Sequence, residues 1–280
     1  MNAKTKQQVA WGFIWAGGFI TILIPLSIIG YVLIRGLAAI TPDFLFTAPQ
    51  GGLSGEGGIS TAIVTTIYLI LVSLVILTPL GIGAAIYLAE YSKDNWITRV
   101  IRYAIDTLAS VPSIIFGLFG FALFVTALHF KFSILSGALA LVCLLLPTLI
   151  RTAEQAITTV PRAYREAALA LGATKWQVIA HVVLPAAVTG IVTGIILCIG
   201  RTVEETAVLY VTLGGSAAMP TSLFSGGRTL SLHLFYLAME TRAFEKSMAT
   251  GAVLIIIVVI INTVTDWLAS RYRASMSGGA

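Results

Sequence analysis

Three charged side chains, Arg201, Glu204 and Glu205, stand inside an otherwise apolar run from about Val183 to Val211. A guanidinium offers a planar fork of donors that matches the oxygens of a phosphate-like oxyanion. Arg201 lies 16 residues beyond Pro185, roughly 24 Å along a helix that rises about 1.5 Å per residue. An arginine at that depth in lipid costs about 2.5–3.5 kcal/mol, whereas an exposed carboxylate partner returns only about 0.3–0.5 kcal/mol. The cluster is therefore expected to face an interior cavity, with Glu204 and Glu205 at i+3 and i+4 both flanking Arg201 on one helix face. Two roles fit: contact with an anion in transit, or a pin that holds this helix to a neighbour. With both acids ionised the cluster is net negative. Anion contact then requires protonation of one acid by desolvation, or cations brought by a partner subunit.

Other chemistry finds little support. There is no GxxxxGK[ST] phosphate cradle, so the chain cannot hydrolyse ATP by itself in that way. His129, His181 and His233 are far apart, and Cys143 and Cys198 sit in apolar runs without metal-ligand spacing. They read as boundary and packing residues. No Ser/His/Asp or paired-carboxylate arrangement has an active-site context, so neither a catalytic nor a metal site is expected.

A second constellation lies in the polar stretch Val160 to Pro185, VPRAYREAALALGATKWQVIAHVVLP. Glu166, Ala167 and Ala168 are followed after three residues by Gly172, and after nine more by Val182, Leu184 and Pro185. Good helix formers from Arg162 to Ala170, with Pro161 in the first turn, predict a short helix. Gly172 ends it, being free to take the left-handed conformation. A second short helix is expected from an N-cap at Thr174 toward Pro185, with Trp176 near its start. Small alanines beside a glycine let another backbone approach closely, and Arg162, Arg165 and Glu166 are expected to form a polar rim. Such a pair of helices suits the groove of a partner protein; an ordinary solvated loop is the bland alternative.

The 280 residues are 58% hydrophobic and only 10% charged, with mean hydropathy +0.95. An all-α protein with the bilayer as its solvent is implied. The formal charge of +5 is scattered among loops, which argues against nucleic acid. Six transmembrane helices are expected: an uncleaved first helix over the run Gln7 to Ile34, then spans at about Thr61–Leu88, Leu108–Leu128, Ser133–Ile150, Val183–Val211 and Ser247–Trp267. Residues 36–60, with Pro42, Pro49 and GGLSGEGG, read as a loop that no helix would tolerate. Pro79 and Gly81 are expected to interrupt the second span and turn it toward the bundle interior. Gly81, Gly83, Gly117 and Gly120 are candidates for close helix contact.

With the N-terminus inside, the inner segments hold Lys4, Lys6, Lys93, Arg99, Arg102, Arg151, Arg162, Arg165, Lys175, Arg271 and Arg273. The outer ones hold only Arg35, Lys131, Arg228, Arg242 and Lys246. This bias places both termini and the Val160–Pro185 stretch in the cytoplasm. The expected organisation is a first helix and outer loop over 1–56, a transmembrane domain over 57–270 with its loop at 160–185, and a cytoplasmic tail over 271–280.

The EAA, Gly and I-x-L-P spacing resembles the coupling loop of membrane-spanning subunits of ATP-binding-cassette importers. The stretches GGISTAIVTTIYL, IDTLASVPSIIFGLFG, EAALALGATKWQVIAHVVLPAA and GRTLSLHLFYLAME are similar to phosphate importer permeases of the PstA type, from residue 57 onward. The resemblance implies a type I importer permease fold in a bacterial or archaeal cytoplasmic membrane. It also implies a PstC-type permease as partner, two ATPase subunits that hold the ATP and Mg, and an external phosphate-binding protein. Glu166, Ala167, Ala168, Gly172, Leu184 and Pro185 would meet the ATPase, and Arg201, Glu205 and Glu204 would lie on the substrate path. Such permeases usually show R-x-x-G-E-T-A-P. Here Arg201, Glu205, Thr206 and Ala207 are in register, while Glu204 replaces Gly and Val208 replaces Pro. Phosphate import is the leading expectation; another oxyanion (sulfate, molybdate, a phosphorus compound) or a self-contained secondary carrier are the alternatives.

Overall fold

One helix, α6 (Ile134–Thr158), is the axis about which the others gather. In the computed structural model, which describes residues 3–50, 55–241 and 243–277, it is the most buried of the long apolar helices. Preceding it are α1 (Ala3–Leu37), α2 (Pro42–Phe46), α3 (Ser60–Ile86), α4 (Trp96–Ala109) and α5 (Ser113–Gly120). After it come α7 (Arg162–Ala170), α8 (Lys175–Val178), α9 (Leu184–Glu204), α10 (Ala207–Thr212), α11 (Leu230–Glu240) and α12 (Phe244–Ser277). Single π-helical turns extend α3 (Tyr87–Tyr91) and α5 (Phe121–Ala127), and a third (Ile179–Val183) joins α8 to α9. Among the described residues the only β-type pairing is the bridge Pro49–Gly57.

Among the described residues five helices are long and apolar enough to cross a membrane: Ala10–Leu37, Ser60–Tyr91, Ile134–Thr158, Lys175–Glu204 and Phe244–Thr265. The bent pair of α4 with Ser113–Ala127, counted as one broken span, brings the total to six. In lipid, apolar burial gives no drive for helices to associate, so they are held by close packing and polar contacts. Leu69 and Leu77 of α3 meet Leu141, Leu145 and Leu149 of α6, with Leu209 of α10 in the same cluster. α1 packs chiefly against α12 and is otherwise exposed along its apolar window.

The predicted spans change in four places. Pro79 and Gly81 do not interrupt the second span, since α3 runs through both while Gly81 is buried against Leu149. The third span starts at Ser113 rather than Leu108. Pro112 restricts the residue before it and has no N–H to continue a helix, so the chain turns at Ser110–Pro112. Residue 108 belongs to α4, the helix that carries Arg99, Arg102 and Asp106. The fifth span stops at Glu204, and Ala207–Thr212 is a separate turn of helix. Within residues 36–60 the one-turn α2 forms after all, with Pro42 in its first turn and the Thr41 side chain accepting from the Phe44 N–H. Part of the GGLSGEGG stretch, residues 51–54, lies outside the described residues.

The glycines divide. A Cβ on Gly120 would sit 2.6 Å from the Ala140 Cβ, and one on Gly117 3.0 Å from the Val208 Cα, so α5 lies directly against α6 and α10 there. Gly83 faces open space, with nothing within 4 Å, and is not a packing glycine. Gly120→Ala should therefore cost about 1–3 kcal/mol through overpacking, whereas Gly83→Ala should be neutral or stabilise by up to about 1 kcal/mol through helix propensity. Thermal unfolding of the two variants in detergent, compared with the parent, checks both signs.

Candidate functional site: a coupling segment and a broken helix

The coupling segment is built from local caps. α7 starts after Pro161, whose ring presets the first turn, and ends on Gly172 at φ +86. The Ala173 N–H donates to the Ala168 carbonyl at 3.2 Å, and the Gly172 N–H to the Leu169 carbonyl at 3.0 Å. This doubly bonded left-handed stop explains why glycine is required. α8 starts on a reciprocal cap between Thr174 and Gln177.

No residue of α7 is buried. Glu166 and Ala167 are exposed, and Ala168 is half-buried. Tyr164, Leu169, Leu171 and Trp176 are exposed large apolar side chains, Leu171 at 90%. An apolar surface outside the membrane-spanning helices, rimmed by charge, is what a protein partner covers.

Arg165 leaves the expected polar rim and turns inward. Its Nη2 lies 2.8 Å from the Glu90 carboxylate at the end of α3, with side-chain exposures of 18% and 10%. It also donates to the backbone carbonyls of Val160 and Ile157, at 2.5 and 2.8 Å. A second network ties α4 to α6. Arg102 Nε donates to Glu154 at 2.8 Å and its Nη2 to the Leu88 carbonyl at 3.1 Å. Arg151 pairs with Asp106 and reaches Glu154 at 3.3 Å. Glu90, Arg102 and Glu154 were missed in the sequence reading. The available signal was an acid near the end of each of two apolar runs, Glu90 and Glu154, the latter three residues beyond Arg151.

Leu184 and Pro185 do not end a short second helix. α8, the π turn and α9 form one helical run from Lys175 to Glu204, about 45 Å long at roughly 1.5 Å per residue. Proline in a helix removes a donor and crowds the preceding turn. The wider π turn, in which the Leu184 N–H donates to the Ile179 carbonyl, supplies the room. Leu184 packs beside Val178, Val183 and Ala187.

At the other end of that run Glu205 leaves the helix with extended backbone, φ −67 and ψ 126. Its freed carbonyl accepts from the Ser231 hydroxyl at 2.7 Å, and the Leu230 N–H at the start of α11 donates to the Thr66 hydroxyl at 3.0 Å. The Glu205 carboxylate is buried and pairs with Arg201 Nη2 at 2.7 Å, while the Arg201 side chain stays 52% exposed. Glu204 does not share this pairing. It is exposed and, among the described residues, makes no ion pair. Arg201 and Glu205 are thus brought together as expected, and Glu204 stands apart. Arg201 offers the rest of its donor fork outward from a broken helix end, where irregular backbone requires protein or water beside it.

The described residues thus form an all-helical bundle with an exposed pair of short helices leading into one end of a long helical run and the Arg201–Glu205 pair at the other end. The family model for the binding-protein-dependent transport system inner membrane component matches residues 78–278, and the chain belongs to that family. It is 32% identical to a probable ABC transporter permease, YqgI, of Bacillus subtilis, over 96% of each chain. It is 37% identical to the phosphate transport system permease PstA 1 of Mycobacterium tuberculosis, over 94% of this chain and 88% of the relative. With PstA of Yersinia pestis it shares 41% identity, over 78% and 74%. In fold it is similar to a chain of a bacterial alginate ABC transporter solved with its pentasaccharide-bound periplasmic protein, at TM-score 0.73 and 14% identity over 95% of this chain and 96% of that one. A chain of the inward-facing MetNI methionine transporter gives TM-score 0.60 at 18% identity, over 86% and 96%. The fold is that of a type I ABC importer permease.

If Arg165 and Glu90 act as a unit, a double-mutant cycle of Arg165→Ala and Glu90→Gln should give a coupling energy of about 0.5–3 kcal/mol. Each single change should destabilise more than the pair, since either leaves one half-buried charge uncompensated. Chemical unfolding of the four proteins in detergent measures it.

Proposed function

We propose that this chain is the membrane-spanning permease subunit of an ATP-driven importer of inorganic phosphate. The observation that carries the reading is the continuous helix from Lys175 to Glu204, with a coupling segment at one end and the Arg201–Glu205 pair at the other. An ATPase subunit docks on Glu166, Ala167, Ala168, Gly172 and the exposed Tyr164, Leu171 and Trp176. Two such subunits, holding ATP and Mg, draw the coupling segments of this chain and a PstC-type partner together. The helical run then moves as a body and presents Arg201 alternately to each side. Its neutralised pair leaves guanidinium donors free for a phosphate oxygen. The exposed Glu204 stands at the same mouth, where cations of the second permease offset an ionised carboxylate. An external phosphate-binding protein delivers the anion, and both termini lie in the cytoplasm, where the basic residues concentrate. The PstA relatives support phosphate as the cargo.

Uptake of labelled phosphate by the co-expressed complex, competed with arsenate, sulfate and molybdate, tests the cargo. Competition by arsenate alone supports phosphate; stronger competition by sulfate or molybdate reassigns the oxyanion, and gradient-driven uptake by the chain alone would make it a carrier. Arg201→Ala should abolish most uptake with assembly intact; unchanged uptake kinetics remove Arg201 from the path. Gly172→Asp, placed at positive φ with open space around it, should uncouple ATP hydrolysis from uptake without unfolding the chain, and normal transport by that variant counts against the coupling role.

A further inference from the structure

Helix α4 is sorted into three sectors that a helix wholly in water or wholly in protein does not need. At about 100° per residue, Trp96, Ile97, Val100, Ile101, Ala104 and Leu108 share one arc, and all six are exposed. Thr98 and Ile105, next to the Ile101 edge of this arc, are its buried residues. Beyond them, opposite the exposed arc, stand the charges. Arg102 bonds Glu154 and Asp106 bonds Arg151, so α6 fixes the rotation of α4 about its own axis. The direction of α4 is fixed as well, because it meets the crossing Ser113–Ala127 at 100°. A helix perpendicular to a membrane crossing lies in the plane of the membrane.

We infer that α4 is an interfacial helix whose Trp96–Leu108 arc is sunk into the lipid leaflet on the coupling side, at the border of headgroups and acyl chains. The arc is continuous with the lipid-facing surface of the adjoining crossing, where Ile114, Ile115 and Leu118 are likewise exposed. The flanking charges complement an anionic headgroup layer. Lys93 is exposed and, among the described residues, has no ion-pair partner, and Arg99 holds the exposed Asp94 only at 3.9 Å. Cations on the polar edge with tryptophan and aliphatic residues on the other face are the composition of helices that lie in an interface. Through Arg102 and Arg151 this anchor braces the end of α6, which leads directly into α7. The inference rests on the membrane crossing of Ser113–Ala127 and is independent of the cargo.

The test places a nitroxide at Val100→Cys, Ala104→Cys or Arg99→Cys, one at a time. The background carries Cys143→Ala and Cys198→Ala, within the assembled complex with cysteine-free partners in lipid nanodiscs. Power saturation then compares accessibility to oxygen with that to a water-soluble nickel chelate. Positions 100 and 104 should favour oxygen, giving a positive depth parameter, and position 99 should favour nickel. Nickel preference at 100 and 104 puts the arc in water, and low access to both reagents puts it under a protein partner; either overturns the inference. Thr107→Cys, on the same arc, replaces any variant that fails to assemble.

Discussion

The structure depends on one accommodation, the π turn at Ile179–Val183. Pro185 lies two residues beyond it, and in an unbroken α-helix that proline would clash with the carbonyl a turn earlier and leave a hole in the hydrogen-bond ladder. Widening the turn lets the helix pass from the coupling segment into the membrane without a hinge. Trp176 and Arg201 thereby stand on one continuous helical run, with no loop between them.

Each end of that run is tied down by polar contacts that the apolar packing alone would not supply. At the Lys175 end, that residue lies 4.5 Å from the centre of the Tyr91 ring, beside the half-buried Arg165–Glu90 pair. At the far end, Ser231 holds the Glu205 carbonyl. Both ties reach helices distant in sequence, so the helical run is fixed relative to α3 and α11. In lipid, where the surroundings are as apolar as leucine, such hydrogen bonds and ion pairs and the close glycine contacts of α5 determine which helices meet.

The two arginines singled out by their surroundings behave oppositely. Arg165, set in a polar stretch and expected to be solvated, is drawn inside by Glu90 and two carbonyls. Arg201, set in an apolar run, keeps half its side chain open. A charge inside an apolar run must find a cavity or a partner chain, whereas one in a surface loop is free to fold back on any acid within reach.

Much was legible in the residues alone. Unbroken apolar runs cannot stay in water, so the number of crossings and their order follow from composition; Gly172 and Thr174 set the limits of the coupling helices, because left-handed stops and N-caps are local events. What depends on distant contacts was not. Whether Pro79 or Pro185 breaks a helix depends on what packs around it; whether Glu204 or Glu205 faces Arg201 depends on where the helix ends, and Ser231 and Thr66, remote in the chain, hold that ending in place. The partners of Arg102, Arg151 and Arg165 likewise emerge only when α4 meets α6 and α7 meets the end of α3, since an ion pair has no periodicity along the chain to betray it.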